Sequence, residues 1–221
     1  ISLLALQIML VITYLQGGSM LRRKSAEDRK TEIIAAVLDL ADRIGPDRLT
    51  TNDIAQEVGV TQAAIFRHFP TKAELWTAVG DAIADRLECA WRHAVNSSES
   101  PQARLKALIA AQLQQIEQTP ALPAILHSRE LNVDNAALRD RFRGVLMQYQ
   151  AHLVANLQAM TEAGLMGAGV QPKDAAVLLT SLVQGIAIRW SLGSRSFDIV
   201  PEGMRLLEVQ LVLFARKEMQ T

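Results

Sequence analysis

Leu49 to Leu75 reads LTTNDIAQEVGVTQAAIFRHFPTKAEL, and this stretch decides the fold. It holds two short helical segments, Thr51 to Val58 and Thr61 to His68, on either side of a glycine turn. Ile54, Ala55 and Val58 give the first segment a small apolar inner face. Gly59-Val60 supplies a turn at which positive φ carries no Cβ penalty, and Thr61 stands ready to cap the second segment. The pattern predicts a helix-turn-helix. Ile65 and Phe69 fall on the inward side of the second segment. That leaves Gln62, Ala63 and Phe66 outward, where a major-groove reader carries its side chains. Between Glu57 and Glu74 there is no acid, while Arg67, His68 and Lys72 are present. The local field favours phosphate even though Lys plus Arg and Asp plus Glu balance at 23 each over the whole chain.

Outward from this motif the pattern is helix after helix, with apolar residues recurring at three and four positions and no sustained alternation of strand type. Ile33, Ile34, Val37, Leu38, Ala41 and Ile44 make one face of a helix that Gly45-Pro46 ends. A longer helix begins at Thr71, with Glu74 three residues on as in a capping box, and carries Leu75, Val79, Ile83 and Leu87 on one stripe. It reads as a strut between two domains. Asn96 to Pro101 is the clear polar break. A long helix from about Asn135 to Ala163 keeps Leu138, Phe142, Val145, Tyr149, Leu153, Leu157 and Met160 in register, and Gly164 closes it. Pro172 and Pro201 each read as the opening of a further helix. The expected class is all-α: a three-helix DNA-binding domain over residues 20–75, then a helical ligand-binding and dimerisation domain over 76–221.

Thr51, Ile54-Ala55, Gly59-Val60-Thr61, Ile65-Phe66-Arg67-His68-Phe69 and Lys72-x-x-Leu75 together resemble the N-terminal signature of the TetR family of regulators, over about 45 residues from Lys30 to Leu75. The resemblance implies that Thr51 and Lys72 meet phosphates, that Gln62, Ala63 and Ala64 meet base edges, and that His68 meets the backbone. Asn52, Thr61, Phe66 and Arg67 complete the DNA-facing set. Phe66 departs from the family, which often has tyrosine there, so a hydroxyl contact is lost. Ala63 and Ala64 can touch a thymine methyl only, and polar readout falls on Gln62, whose natural partner is adenine. Each assignment has a plain alternative. Thr51 and Thr61 can be helix caps, Lys72 a solvated charge, His68 a packed or surface histidine, and Arg22-Arg23-Lys24 a solvated tail rather than an arm on DNA.

The C-terminal half carries a second signal. Val177 to Leu192 and Leu206 to Ala215 are apolar nearly all round, so both helices must be covered on more than one side. One cover is their own core and the other a second copy of the chain, with Ser181, Gly185, Ile188, Leu207, Leu211 and Phe214 as the expected interface. A purely intramolecular core is the alternative. The resemblance implies the same four-helix interface and places Trp91, Met147, Tyr149 and Trp190 on helices that line an effector cavity, with ordinary packing the favoured alternative for each. The expected partners are double-stranded operator DNA, a second copy and a small, largely apolar effector of unknown identity.

Other chemistry is thin. Gly164, Gly167 and Gly169 are in the wrong order for a phosphate loop, His127, Glu130 and His152 lack metal-ligand spacing, and no Ser, His and acid set forms a motif. The expectation is a non-enzyme with no cofactor and no metal. The single cysteine, Cys89, fits a reducing cytoplasm. Residues 1–19 are apolar and end in Gln16-Gly17-Gly18-Ser19. They are too few to span a bilayer and carry no leading basic residue, so they read as a non-native segment outside the function and leave no membrane association. The mechanism expected is repression by occlusion, with two recognition helices about 34–36 Å apart and an effector that shifts the fourth helix. An activator or a ligand-independent DNA-organising protein of the same fold is the rival, and an all-helical enzyme the rival from another class.

Overall fold

In the computed structural model, which describes residues 25–96 and 100–215, side-chain caps set where most helices begin. Ser25, Thr50, Thr61, Thr71, Ser100, Ser128 and Asn135 each accept a hydrogen bond from a backbone N–H in the first turn that follows. Those N–H groups otherwise lack a partner inside the helix. The described residues hold ten helices. The first three are α1 (Ala26–Ile44), of 19 residues, and the short α2 (Thr51–Val58) and α3 (Gln62–His68). The strut α4 (Lys72–Val95) follows. The larger body holds α5 (Pro101–Gln118), α6 (Leu122–His127), α7 (Arg129–Asp134), α8 (Ala136–Glu162), α9 (Pro172–Leu192) and α10 (Ile199–Phe214).

Two expectations about helix ends change. The last helix opens at Ile199 with Asp198 at its cap position, so Pro201 lies in its first turn rather than opening it. Thr50, not Thr51, caps α2: its hydroxyl accepts from the Asp53 N–H, and Asp53 returns the bond to the Thr50 N–H at 2.9 Å. Residues 1–19 and the basic run Arg22 to Lys24 lie outside the described residues.

Helices α1, α2 and α3 pack on one another, burying Ile33, Val37, Leu40, Ala41, Leu49, Ile54, Ala55, Ile65 and Phe69. Gly59, between α2 and α3, sits at φ 71°, in the left-handed region that a Cβ disfavours. Ile44 belongs to the predicted stripe of α1 but is exposed at its end. The strut α4 serves both parts of the chain, packing on α1 at one end and on α5 and α8 along its length, with Leu75, Trp76, Val79, Ile83, Leu87 and Trp91 buried. Gly80 allows the closest approach of α8, because a Cβ there would stand 2.4 Å from Cδ1 of Leu138. Arg141 of α8 ties the same pair together, reaching Asp81, Asp85 and Glu88 of α4 at 3.2, 3.1 and 3.0 Å. Gly203 of α10 seats Leu113 of α5 in the same manner.

The predicted stripe of α8 is buried throughout, from Leu138 to Met160. Helix α9 is long and apolar enough to cross a membrane by length and composition, but 44% of that window is buried inside the chain, against its neighbours α5, α6, α8 and α10. Three polar links join the small unit and the strut's start to the larger body. Ser128 Oγ donates to Asp47, Arg195 pairs with Asp42 of α1, and Asn135 Nδ2 donates to the Ala73 carbonyl at 2.8 Å. Arg195 reaches α1 from a tight turn after α9, in which Ser194 and Arg195 both take positive φ, 51° and 59°.

Candidate DNA-facing surface, cavity and apolar face

The candidate DNA-facing set is held by the glycine turn and by the Thr61 cap. The cap hydroxyl accepts from the Ala64 N–H at 3.2 Å, and Ile65 and Phe69 anchor α3 inward. The rest of α3 faces out: Gln62, Ala63, Phe66 and Arg67 are exposed, and Ala64 and His68 are half-buried. Thr61 therefore performs the capping role that sequence left open for it. Thr51 does not, because Thr50 takes that role. The Thr51 hydroxyl instead accepts a hydrogen bond from Gln62 Nε2 at 2.6 Å, which brings two of the predicted residues together across the turn. Asn52 is exposed on α2, and Lys72 is exposed as the first residue of α4, beside the C-terminal end of α3. The Asp53 carboxyl is held below its usual range by its hydrogen bonds from Thr50, so it stays ionised at the positive end of α2.

In the larger body a cavity of about 310 Å³ opens among α4, α5, α6, α8 and α9. Its inner wall is apolar, with Leu87, Trp91, Ile116, Phe142, Val145 and Val183. His127, Arg143 and Gln184 stand at an exposed rim. Among the described residues no carboxylate lines it. Trp91 stacks on Tyr149 with ring centroids 5.0 Å apart and donates Nε1–H to Gln112 at 2.9 Å. The Tyr149 hydroxyl is buried without a hydrogen-bond partner, and that burial pushes the phenol well above its ordinary range, so it stays protonated as a donor. Two of the four aromatic and methionine residues expected at an effector site thus line the cavity. The other two do not. Met147 is 66% exposed on the opposite side of α8, and Trp190 is buried outside the lining, with the Arg195 guanidinium 5.3 Å from its ring centroid. A helical stripe predicts which residues point inward but not which inward residues border a void, so the α5 and α6 contributions had no sequence signal.

The apolar C-terminal helices present one outer face. Val177, Leu178, Ile188 and Leu192 of α9 and Val209, Val212 and Leu213 of α10 are exposed, Leu192 and Val212 by 82% and 71%. Ser181 and Gly185 lie on the same exposed side of α9. Leu207, Leu211 and Phe214, expected at an interface, do not: they are buried in the chain's own core, and the exposed apolar residues of α10 are Val209, Val212 and Leu213. Arg205 and Glu208 share the exposed side of α10 with Val209, Val212 and Leu213, so the apolar run near its end is what hides the division between core and surface in the sequence. No group of three or more His, Cys, Asp or Glu that could hold a metal lies among the described residues.

Comparison with known proteins places these features. A family model described as bacterial regulatory proteins, tetR family, matches residues 33–79, and one described as BetI-type transcriptional repressor, C-terminal, matches residues 101–207. The nucleoid occlusion factor SlmA of Marinomonas sp. (strain MWYL1) is 28% identical over 191 residues, 84% of this chain and 96% of that protein. Among solved structures, a TetR transcription regulator from Haloarcula marismortui superposes with TM-score 0.72 at 22% identity, covering 86% of this chain and all of that one. A transcriptional regulator from Saccharomonospora viridis in complex with choline gives TM-score 0.73 at 18% identity, covering 83% of this chain and 95% of that one. These two share the fold.

Proposed function

The chain belongs to the TetR family of bacterial regulatory proteins and is a DNA-binding transcriptional regulator, and on that footing we propose that it is a homodimeric repressor released from its operator by a small, largely apolar effector. The observation that carries the DNA side is the outward face of α3. Gln62, Ala63, Phe66 and Arg67 are exposed on a helix fixed from below by Ile65 and Phe69, with Lys72 beside it and no acid between Glu57 and Glu74. Such a face enters a major groove while its flanking cations hold phosphates.

The exposed apolar face of α9 and α10 supports pairing, since a monomer in water would leave that patch uncovered. Two copies would join four helices there, with Ser181 and Gly185 permitting close approach, and would set two α3 helices on successive major grooves. The cavity supports the effector. Its volume lies at the lower end of the ~300–1,000 Å³ usual for small-molecule sites, and an apolar wall with few polar groups is their common chemistry. Because α4 carries both a cavity wall, at Leu87 and Trp91, and Lys72, occupancy of the cavity and grip on DNA become coupled with opposite preference.

The test is selection of an operator from random duplex DNA, then titration at fixed salt with and without a panel of small apolar compounds that raise the melting temperature. Compounds that stabilise the protein and also release the operator support an effector-controlled repressor. A second reading, a ligand-independent DNA-organising protein, is favoured by the relative named as a nucleoid occlusion factor. It is the outcome if compounds fill the cavity without changing operator affinity.

A further inference from the structure

Thr51 and Gln62 lie eleven positions apart in sequence, on different helices of the motif, yet the Gln62 side-chain amide donates to the Thr51 hydroxyl at 2.6 Å. The bond is short for a neutral donor and acceptor. Neither residue is needed for helix ends: Thr50 caps α2 and Thr61 caps α3. Gln62 is exposed, and an exposed glutamine ordinarily samples many rotamers about its three side-chain torsions. We propose that Thr51 is a positioning residue for base readout, holding the Gln62 amide in its reading orientation before DNA arrives. This rests on α3 being the helix in the major groove.

The hydrogen-bond inventory supports the role. A glutamine amide has two N–H donors and one carbonyl acceptor. The tether uses one N–H, leaving the other and Oε1, the donor and acceptor pair that adenine N7 and N6 require in the major groove. The Thr51 hydroxyl accepts from Gln62 with one lone pair and keeps its own hydrogen to donate, so a phosphate oxygen can take it at the same time. One hydroxyl then links backbone positioning to base reading, and a glutamine ordered in advance loses less freedom on binding. Ala63 and Ala64 next to it cannot donate or accept from their side chains, so little else in the first turn of α3 compensates if Gln62 swings free.

The experiment measures affinity for the selected operator and for one altered at the base pair that Gln62 reads, in the full-length protein, and takes the ratio. Thr51→Val removes the hydroxyl at nearly constant volume and should lower that ratio by about tenfold, the scale of one immobilised long side chain. Thr51→Ser keeps the hydroxyl and should restore it. In a Gln62→Ala background, Thr51→Val should leave the ratio unchanged. A proton spectrum of the free protein gives an independent readout, because the Gln62 amide resonances should be shifted and well resolved in wild type and move to free-glutamine positions in Thr51→Val. The proposal is overturned if Thr51→Val weakens both operators equally and leaves the ratio intact, or if the amide resonances do not move. Failure of the underlying reading looks different: Gln62→Ala itself would then weaken every sequence alike.

Discussion

Ser128 donates its hydroxyl hydrogen to the Asp47 carboxylate while its oxygen accepts from the Leu131 N–H at 3.0 Å. The first bond crosses from the larger body to the turn that follows α1, and the second caps α7. Ser128 comes directly after α6, whose Leu122, Pro123, Leu126 and His127 line the cavity. A ligand that displaces α6 therefore pulls on a residue bonded to the small N-terminal unit.

Asp47→Ala removes the link and leaves the α7 cap in place. The expected result is near wild-type operator affinity and effector affinity when each is measured alone, with the factor by which one weakens the other reduced several-fold, within the ~5–150-fold span usual for such couplings. Operator titrations at zero and saturating effector measure that factor. An unchanged factor removes Asp47 from the coupling and leaves Arg195 with Asp42 as the next link to test.

The exposed apolar face of α9 and α10 gives a paired test of the proposed dimer. Nothing lies within 4 Å of a Cβ added at Gly185, so Gly185→Arg should leave the protomer folded and yield a monomer by light scattering. Leu207→Ala does the reverse. Leu207 is fully buried, and its truncation should cost about 2–5 kcal/mol of stability by chemical denaturation while the surviving folded protein still pairs. A dimer that persists in Gly185→Arg would place the interface elsewhere.

Lys72→Ala should weaken binding to all sequences alike and reduce the slope of log affinity against log salt by about one per half-site, since one fewer counterion is released. Gln62→Ala should leave that slope nearly unchanged. Titrations across several salt concentrations separate the two.

The Asp53 carboxyl has a folded pKa depressed by hydrogen bonds from Thr50. Its contribution is therefore present above the carboxyl's unfolded pKa and is lost as pH falls through the depressed one. Melting temperature recorded against pH should fall more steeply on the acid side in wild type than in Asp53→Asn, which cannot titrate. Matching acid limbs would mean that this capping box does not contribute measurably.

Much of the fold is legible in the sequence because its signals are local. Thr71 with Glu74, Asn135 before the long helix, Pro101 and Pro172 at first-turn positions and Gly59 and Gly164 at positive φ each act within a turn of themselves. The face of α3 follows from Ile65 and Phe69 for the same reason. What sequence misled on is set by tertiary contact. Val212 and Leu207 are both aliphatic residues of one helix, and only the seat of α10 on α5, at Gly203 against Leu113, decides which is core. The Thr51 to Gln62 bond depends on the angle between two helices, which no spacing encodes. Trp190 and Met147 sit on cavity-bearing helices, yet burial without a void and exposure on the far side exclude them from the wall.

On the proposed mechanism the strut would act as a lever. From Leu87 in the cavity wall to Lys72 is some 15 residues of α4, a stiff arm of about 22 Å at the ~1.5 Å rise of an α-helix. Pivoting at the cavity end, such an arm turns a tilt of about 5° into a displacement of about 2 Å at its tip, and two-fold symmetry would count it twice against a groove repeat of about 34–36 Å. Side chains reading base edges tolerate far less than that. A guest that only nudged Leu87 and Trp91 apart from Phe142 would thus be amplified mechanically, and the cavity would have no need to change shape much for its filling to be felt at the far end of the molecule.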